Sequence, residues 1–370
     1  MTQPSLRISG RVQEVEMSGI RKFFQQARPG AISLGLGQPD FPTPDHIKDA
    51  AIDAIRNNLT GYTFNTGVYE LREAICSKLA VENGISYTPD QVIVTAGAGE
   101  ALFITITTLV DEGDRVLFAD PGFVSYEACA VLAGGRPDGV PLDDTLHLDV
   151  EACKEKMDGA KVFVLNSPAN PTGTVEDPGT IRAIVEYAAD AGVTVISDEV
   201  YEHFIYGKEH ASAARFGENV VTINATSKTY AMTGWRLGYM AAPDAIVGQA
   251  VKVHQYCQTC ATSISQYAAI AAYTGGNDCV RMMKDEYAQR RDLLYDGLTR
   301  LGFDFPKPEG AFYMFVPMER ELFQAIINAG VVIIPGDAFG ANAGNYARFS
   351  YAASRENITE ALKRIATVTG

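Results

Sequence analysis

Lys228 and Arg236 lie eight residues apart in Asn224–Tyr239, NATSKTYAMTGWRLGY, a stretch with no acidic residue. The chain as a whole carries an excess of acid, with a formal net charge of −14. Two cations placed away from that acid either sit on a solvated face or leave room for something other than a carboxylate. Lys228 follows the apolar run NVVTINATS and precedes further apolar residues, which implies partial burial. Burial lowers a lysine pKa and frees a nucleophilic amine.

Other residues with chemical capacity also follow apolar, β-branched runs. Asp198 ends GVTVISDEV, where an aspartate is costly unless it is hydrogen-bonded or faces a cation; Glu199 and Tyr201 follow it and extend a candidate catalytic cluster. After AKVFVLNSP comes the rigid NPTG turn, with Asn166 and Asn170 at its rim. After DRVLFAD comes PGFVSYE, which offers Phe123 and then Tyr126 as flat aromatic surfaces. After QVIVT comes AGAGEAL, small residues opening a helix and exposing backbone N–H groups to an anion.

These runs alternate with segments of helical period, such as Glu100–Leu109 and Thr180–Ala191. Buried strands separated by helices imply right-handed crossovers and a mostly parallel, doubly wound sheet. In such a sheet ligands bind beyond the carboxyl ends of the strands, which is where all these residues fall. The fold expected is therefore α/β, with a large domain over 41–276. Strand-like Ala311–Val316, Val331–Ile334 and Tyr346–Tyr351, with helices at Asp278–Leu301 and Glu356–Ala366, predict a smaller α/β domain formed by 1–40 and 277–370. An anion cradle, an aromatic plate, a turn amide, an acid, a lysine and an arginine together suit one molecule. That molecule is flat, phosphorylated and aldehyde-bearing, with a protonated ring nitrogen: pyridoxal 5′-phosphate.

The order and spacing of GLGQPDFPTP, NPTG, SDEVY, SK-x-x-x-x-x-GWRLGY and YARFSYAAS resemble the class I/II aminotransferases of pyridoxal-phosphate fold type I, over nearly the whole chain. The resemblance implies that Lys228 forms the imine with the cofactor and later moves the α-proton. Asp198 would keep the pyridine nitrogen protonated, and Tyr201 and Asn170 would hold the ring oxygen O3′. Arg236, the amides of Ala98 and Gly99, and the hydroxyl of Ser227 would hold the phosphate, while Phe123 stacks on the ring. Arg348 would clamp the substrate α-carboxylate, beside the backbone of Gly37 and with Asn170. Tyr62, in GYTFNTG, would reach the phosphate in a neighbouring subunit, which implies a homodimer.

Two departures stand out from that pattern. Ala225 occupies a position where relatives often carry a phosphate-binding serine, and the connection between FYMFV and AGVVIIPG is short, as though a surface loop were trimmed.

The implied reaction is amino transfer between an α-amino acid and a 2-oxo acid, by a ping-pong route through pyridoxamine phosphate. A carbon–sulfur β-lyase on the same scaffold is the alternative. Transamination is preferred because SDEVYEHF and GQPDFPTP resemble the aminotransferase lineage. A cofactor-binding protein without activity could have dropped Lys228 or Arg348, and both are present.

Composition limits the remaining classes. At 370 residues, 46% apolar and 21% charged, the chain has ample length for a large core. The acidic balance argues against nucleic acid as the main partner, and no apolar window is long enough for a membrane span. The polar N-terminus lacks a secretory h-region, so a cytoplasmic protein is expected, and the sequons at Asn58, Asn224 and Asn357 are discounted. The lone C-x-x-C at Cys257 and Cys260 lacks a second ligand pair for a metal and reads as buried free thiols.

Overall fold

The computed structural model describes residues 7–17, 19 and 30–369. Its largest sheet has seven strands in the order β2-β8-β7-β6-β5-β3-β4. These are β2 (Val92–Thr95), β3 (Arg115–Asp120), β4 (Arg136–Pro141), β5 (Val162–Asn166), β6 (Thr194–Asp198), β7 (Val220–Ala225) and β8 (Gly238–Ala241). All neighbours are parallel except β8, which runs antiparallel to both β2 and β7. Val162–Leu165 and Val195–Asp198 are buried, as expected of parallel strands covered on both faces. The helices Ala98–Leu109 and Pro178–Asp190 provide part of that cover, with Ile104 on one side and Ile184 on the other.

The five strands expected around this sheet are present. The two that the hydrophobic pattern did not signal have physical reasons for their silence. β4 reads RPDGVP and lies at the sheet edge, where proline and glycine are tolerated because one row of backbone groups is not needed for pairing. β8 is only four residues long and is held between two partners, so register supplies what its length cannot.

A second sheet joins β11 (Ile334–Pro335), β12 (Tyr346–Ser350) and β9 (Tyr313–Pro317), all antiparallel. The expected strand Val331–Ile334 is in fact divided. Its first half, β10 (Val331–Val332), pairs in parallel with β1 (Ile32–Ser33), and its second half becomes β11. The short connection after β9 is a helix, Arg320–Asn328, which buries Phe323 and Ile326. The thiol reading is also corrected. Cys257 is exposed and Cys260 partly so, because they lie at and beyond the end of the helix Asp244–Cys257, where the chain turns out to solvent; Cys129 and Cys153 are the buried thiols.

Candidate active site

Adjacent parallel strands bring the functional side chains to one edge. β5 ends at Asn166, paired in register with Asp198 at the end of β6, and β7 ends at Ala225, one residue before the helical turn Thr226–Thr229 that carries Lys228. Asn166 Nδ2 donates to the Asp198 carbonyl at 2.9 Å, and Asn166 Oδ1 accepts from the Asn170 N–H at 2.9 Å. One asparagine thus ties the NPTG turn to the strand bearing the aspartate.

Lys228 Nζ donates to the Gly37 carbonyl at 2.6 Å, and no carboxylate lies within ion-pair distance of it among the described residues. Burial, reinforced by the charges of Arg348 and Arg236 and only partly opposed by Asp198, pushes its ammonium down to about 8. The amine is therefore available as a neutral nucleophile just above neutrality. Asp198 is pushed the other way, to about 6, by burial; hydrogen bonds from Tyr126 Oη (2.8 Å) and the Val200 N–H offset part of that shift. Among the described residues no cation lies within ion-pair distance of it, and Lys228 attracts it only at longer range.

Arg236 adopts a left-handed backbone (φ 51°) and donates to the carbonyls of Thr233 (2.9 Å) and Ala96 (3.3 Å). Its guanidinium lies against Gly97. A Cβ on Gly97 would fall 2.6 Å from Nη2, and Gly97 itself has φ 84°, so only glycine fits this entry to the helix beginning at Ala98. Ala98 and Gly99 present the first amides of that helix, with Gly99 exposed. Gly238 is equally constrained, since its Cβ would meet the Ala98 nitrogen at 2.6 Å. The result is a shallow cradle of amides and one guanidinium.

Arg348 on β12 is buried. Its Nη1 donates to Asn170 Oδ1 (2.8 Å), its Nη2 donates to the Gly35 carbonyl (2.7 Å), and its Nε has no partner among the described residues. The guanidinium lies 4.3 Å from the ring centre of Tyr313 and 4.7 Å from that of Phe339. Like Lys228 and Arg236 it makes no ion pair among the described residues, in a chain of net charge −14.

Of the other expected residues, Tyr201 is buried and shares a 2.8 Å hydroxyl–hydroxyl hydrogen bond with Tyr313, and Phe123 packs edge-on against Tyr126 at 5.6 Å. Ser227 is buried beside Lys228, and the Ala225 methyl is buried in the core. Tyr62 stands apart, 90% exposed, on a surface with Phe64 (76%) and Tyr256 (88%). Glu199 does not join the cluster. It turns away to accept hydrogen bonds from Ser197, Ser212 and His210.

Tyr126 lies three residues beyond Phe123, at a helix start, and that spacing is the signal the sequence offers for its role beside Asp198. Tyr313 opens β9 (Tyr313–Pro317) directly after Phe312, and both rings pack on Tyr201, so strand periodicity gives no sign of which hydroxyl or ring meets the site.

A lysine at the edge of a doubly wound sheet, next to an anion cradle and a buried acid, marks a transferase of fold type I. The comparisons agree: the model for aminotransferase class I and II matches residues 29–365, and the chain belongs to that family. It is 43% identical to a probable aspartate aminotransferase of Methanocaldococcus jannaschii, covering 96% of this chain and 98% of the relative. It is 37% identical to aromatic-amino-acid aminotransferase 2 of Thermococcus litoralis, covering 98% of each. The structure of aspartate aminotransferase from Thermus thermophilus with maleate superposes with a TM-score of 0.95 at 36% identity, over 98% of this chain and 100% of that one. The chain is an aminotransferase, and nothing in these comparisons favours a carbon–sulfur lyase.

Proposed function

We propose that the protein binds pyridoxal 5′-phosphate on Lys228 and transfers amino groups between an α-amino acid and a 2-oxo acid in a ping-pong cycle. The observation that carries this reading is geometric: Lys228, Asp198, Arg236 and Arg348 gather at the strand ends and make no ion pair among the described residues, while burial lowers the lysine to about 8 and raises the aspartate to about 6. The cofactor supplies an electron sink for the electrons left at the α-carbon. Asp198, held by Tyr126, would gain the cation it lacks and keep the ring nitrogen protonated. Arg236 with the amides of Ala98 and Gly99, joined by Ser227, would hold the phosphate. Phe123 would pack on the ring face.

Asn170 Oδ1 accepts from Arg348, which leaves its amide N–H₂ as the group that would donate to O3′, together with Tyr201. The unpartnered Nε leaves Arg348 with donor capacity for the substrate carboxylate, next to Gly37. Lys228 Nζ, lowered to about 8, would serve as the base that holds and moves the substrate α-proton.

The exposed Tyr62 and Phe64 support a homodimer in which Tyr62 completes the neighbouring site. Dissociation on dilution with parallel loss of cofactor would support this, whereas an active monomer would overturn it. The parallel pairing of β1 with β10 supports the division into 41–276 and 1–40 with 277–370, of which 1–6, 18, 20–29 and 370 lie outside the described residues. A cytoplasmic location remains our reading; no described helix is long and apolar enough to cross a membrane.

The visible spectrum of the loaded protein tests the reaction. An amino acid added without oxo acid should bleach the band and release the matching oxo acid. Pyruvate and ammonia from cystathionine would instead indicate the lyase. We extend the proposal to neutral and aromatic donors, because Gly99 places no cation at the cradle for a second carboxylate. A kcat/KM for phenylalanine at or above that for aspartate supports this extension, and a clear preference for aspartate overturns it.

A further inference from the structure

We propose that Tyr313 is a positioning residue that sets the direction of the Tyr201 hydrogen bond, donating to Tyr201 so that Tyr201 must donate outward into the cofactor site. This rests on the cofactor reading given above.

Both hydroxyls are buried and lie 2.8 Å apart, and a tyrosine hydroxyl can either donate or accept. The pair by itself has no direction. Arg348 breaks the symmetry: its guanidinium lies 4.3 Å from the Tyr313 ring, closer than any cation to Tyr201, where Lys228 Nζ is 5.8 Å from the ring centre. A fixed positive charge stabilises the phenolate character of the nearer ring and makes its hydroxyl the stronger donor. Burial raises both hydroxyls, but Tyr201 goes well above the usual tyrosine range and Tyr313 less far, because the Arg348 charge opposes burial most directly at Tyr313.

The site is also shaped for this hydroxyl. A Cβ on Gly37 would lie 2.1 Å from Tyr313 Oη, so the glycine keeps that space open, and the same residue's carbonyl receives Lys228. Phe312 packs edge-on to Tyr201 at 5.3 Å and Tyr313 does so at 5.7 Å, which leaves the Tyr201 ring little freedom to turn. A hydroxyl that accepts from one side donates more strongly on the other, and such chains are cooperative.

The test uses protein loaded with pyridoxal 5′-phosphate and reads the pH midpoint of its visible absorbance change. A donor at O3′ favours the deprotonated linkage to Lys228. Tyr313→Phe, which keeps the ring under Arg348, should therefore raise the midpoint by about half a pH unit, from the cooperative share of one hydrogen bond to a charged group. Tyr201→Phe should raise it further, and adding Tyr313→Phe to that variant should move it no more. Gly37→Ala, whose methyl displaces the hydroxyl without removing it, should repeat the Tyr313→Phe shift. Equal shifts with and without the Tyr201 hydroxyl, or no shift in either, would overturn the proposal. Absence of the visible band from every protein would overturn the cofactor reading, and this inference with it.

Discussion

Two buried polar regions lie back to back in this protein, divided by the single segment Asp198–Glu202. Asp198 and Tyr201 face the site, while Glu199 and Glu202 face a bed of polar side chains beneath it. In the bed every charge is answered. Glu202 accepts from Lys78, from Asn83 (2.7 Å) and from Asn224 (2.6 Å). Glu199 accepts from Ser197 and Ser212 (each 2.8 Å) and meets His210 at 3.0 Å. Burial works to raise the Glu202 carboxyl, yet Lys78, His203 and His210 outweigh it and hold it at about 2. In the site the same burial goes unanswered, and Asp198 rises to about 6 while Lys228 falls to about 8. The bed keeps the chain folded and the site keeps capacity for a ligand, so stability and function occupy opposite faces of five residues.

The sharpest way to break this contrast is Lys228→Ala. It should cut turnover by more than about 10³-fold, the scale of losing a positioned proton-transfer group, while making the cofactor-free protein more stable near pH 7. The sign follows from the lowered pKa. Between about 8 and the usual 10.5 the unfolded chain binds the proton more readily, so Lys228 costs stability below that window, by about 3 kcal/mol. Denaturant melts of the cofactor-free proteins at pH 7 and pH 10.5 check this, since the gap between variant and parent should close at the higher pH.

Glu202→Gln should do the reverse. It leaves the Lys78 ammonium buried opposite a neutral amide and should cost about 3 kcal/mol, the lower end for breaking a buried pair. An unchanged denaturation midpoint would mean that the bed is not structural.

Asp198 and Glu202 should also give opposite pH dependences. Glu202 stabilises above the usual 4.5, and that contribution is lost as pH falls toward 2. Asp198, raised from 3.8 to about 6, instead loses stability as pH rises through that window, by about 3 kcal/mol in the cofactor-free protein. Asp198→Asn should flatten the curve between pH 4 and 6 and leave the acid limb in place. A parent curve already flat in that range would contradict the raised value.

The smallest effect is expected from Tyr126→Phe. It removes one hydrogen bond from the Asp198 carboxylate, worth about 1.5 kcal/mol, and should weaken cofactor affinity about tenfold with little change in the melt. Equilibrium titration with pyridoxal phosphate measures it, and undiminished affinity would assign Tyr126 to the core alone.

Much of this organisation is set locally, and the chain shows it. β-branched runs ending in Asn166, Asp198 and Ala225 specify parallel strands whose carboxyl ends must lie together, so the positions of Asp198, Lys228 and the NPTG turn follow from burial and right-handed crossovers. A glycine before the helix at Ala98 likewise announces the cradle, because the left-handed turn there admits little else.

What the local pattern does not encode is which side chain meets which across distance. Glu199 and Tyr201 both follow Asp198, and it is the packing of Asn83, Ser212 and His210 that draws Glu199 away from the site. Tyr126 and Tyr313 are 72 and 112 positions from their partners, and the division of 331–334 between two sheets depends on β1 and β12 arriving from opposite ends of the chain. Residue types and periodicity therefore determined most of the sheet and the placement of the glycine turn and the lysine proposed to hold the cofactor. Tertiary structure decided which charges are neutralised and which stay open, because neutralisation is a matter of ångströms between residues that the sequence places far apart.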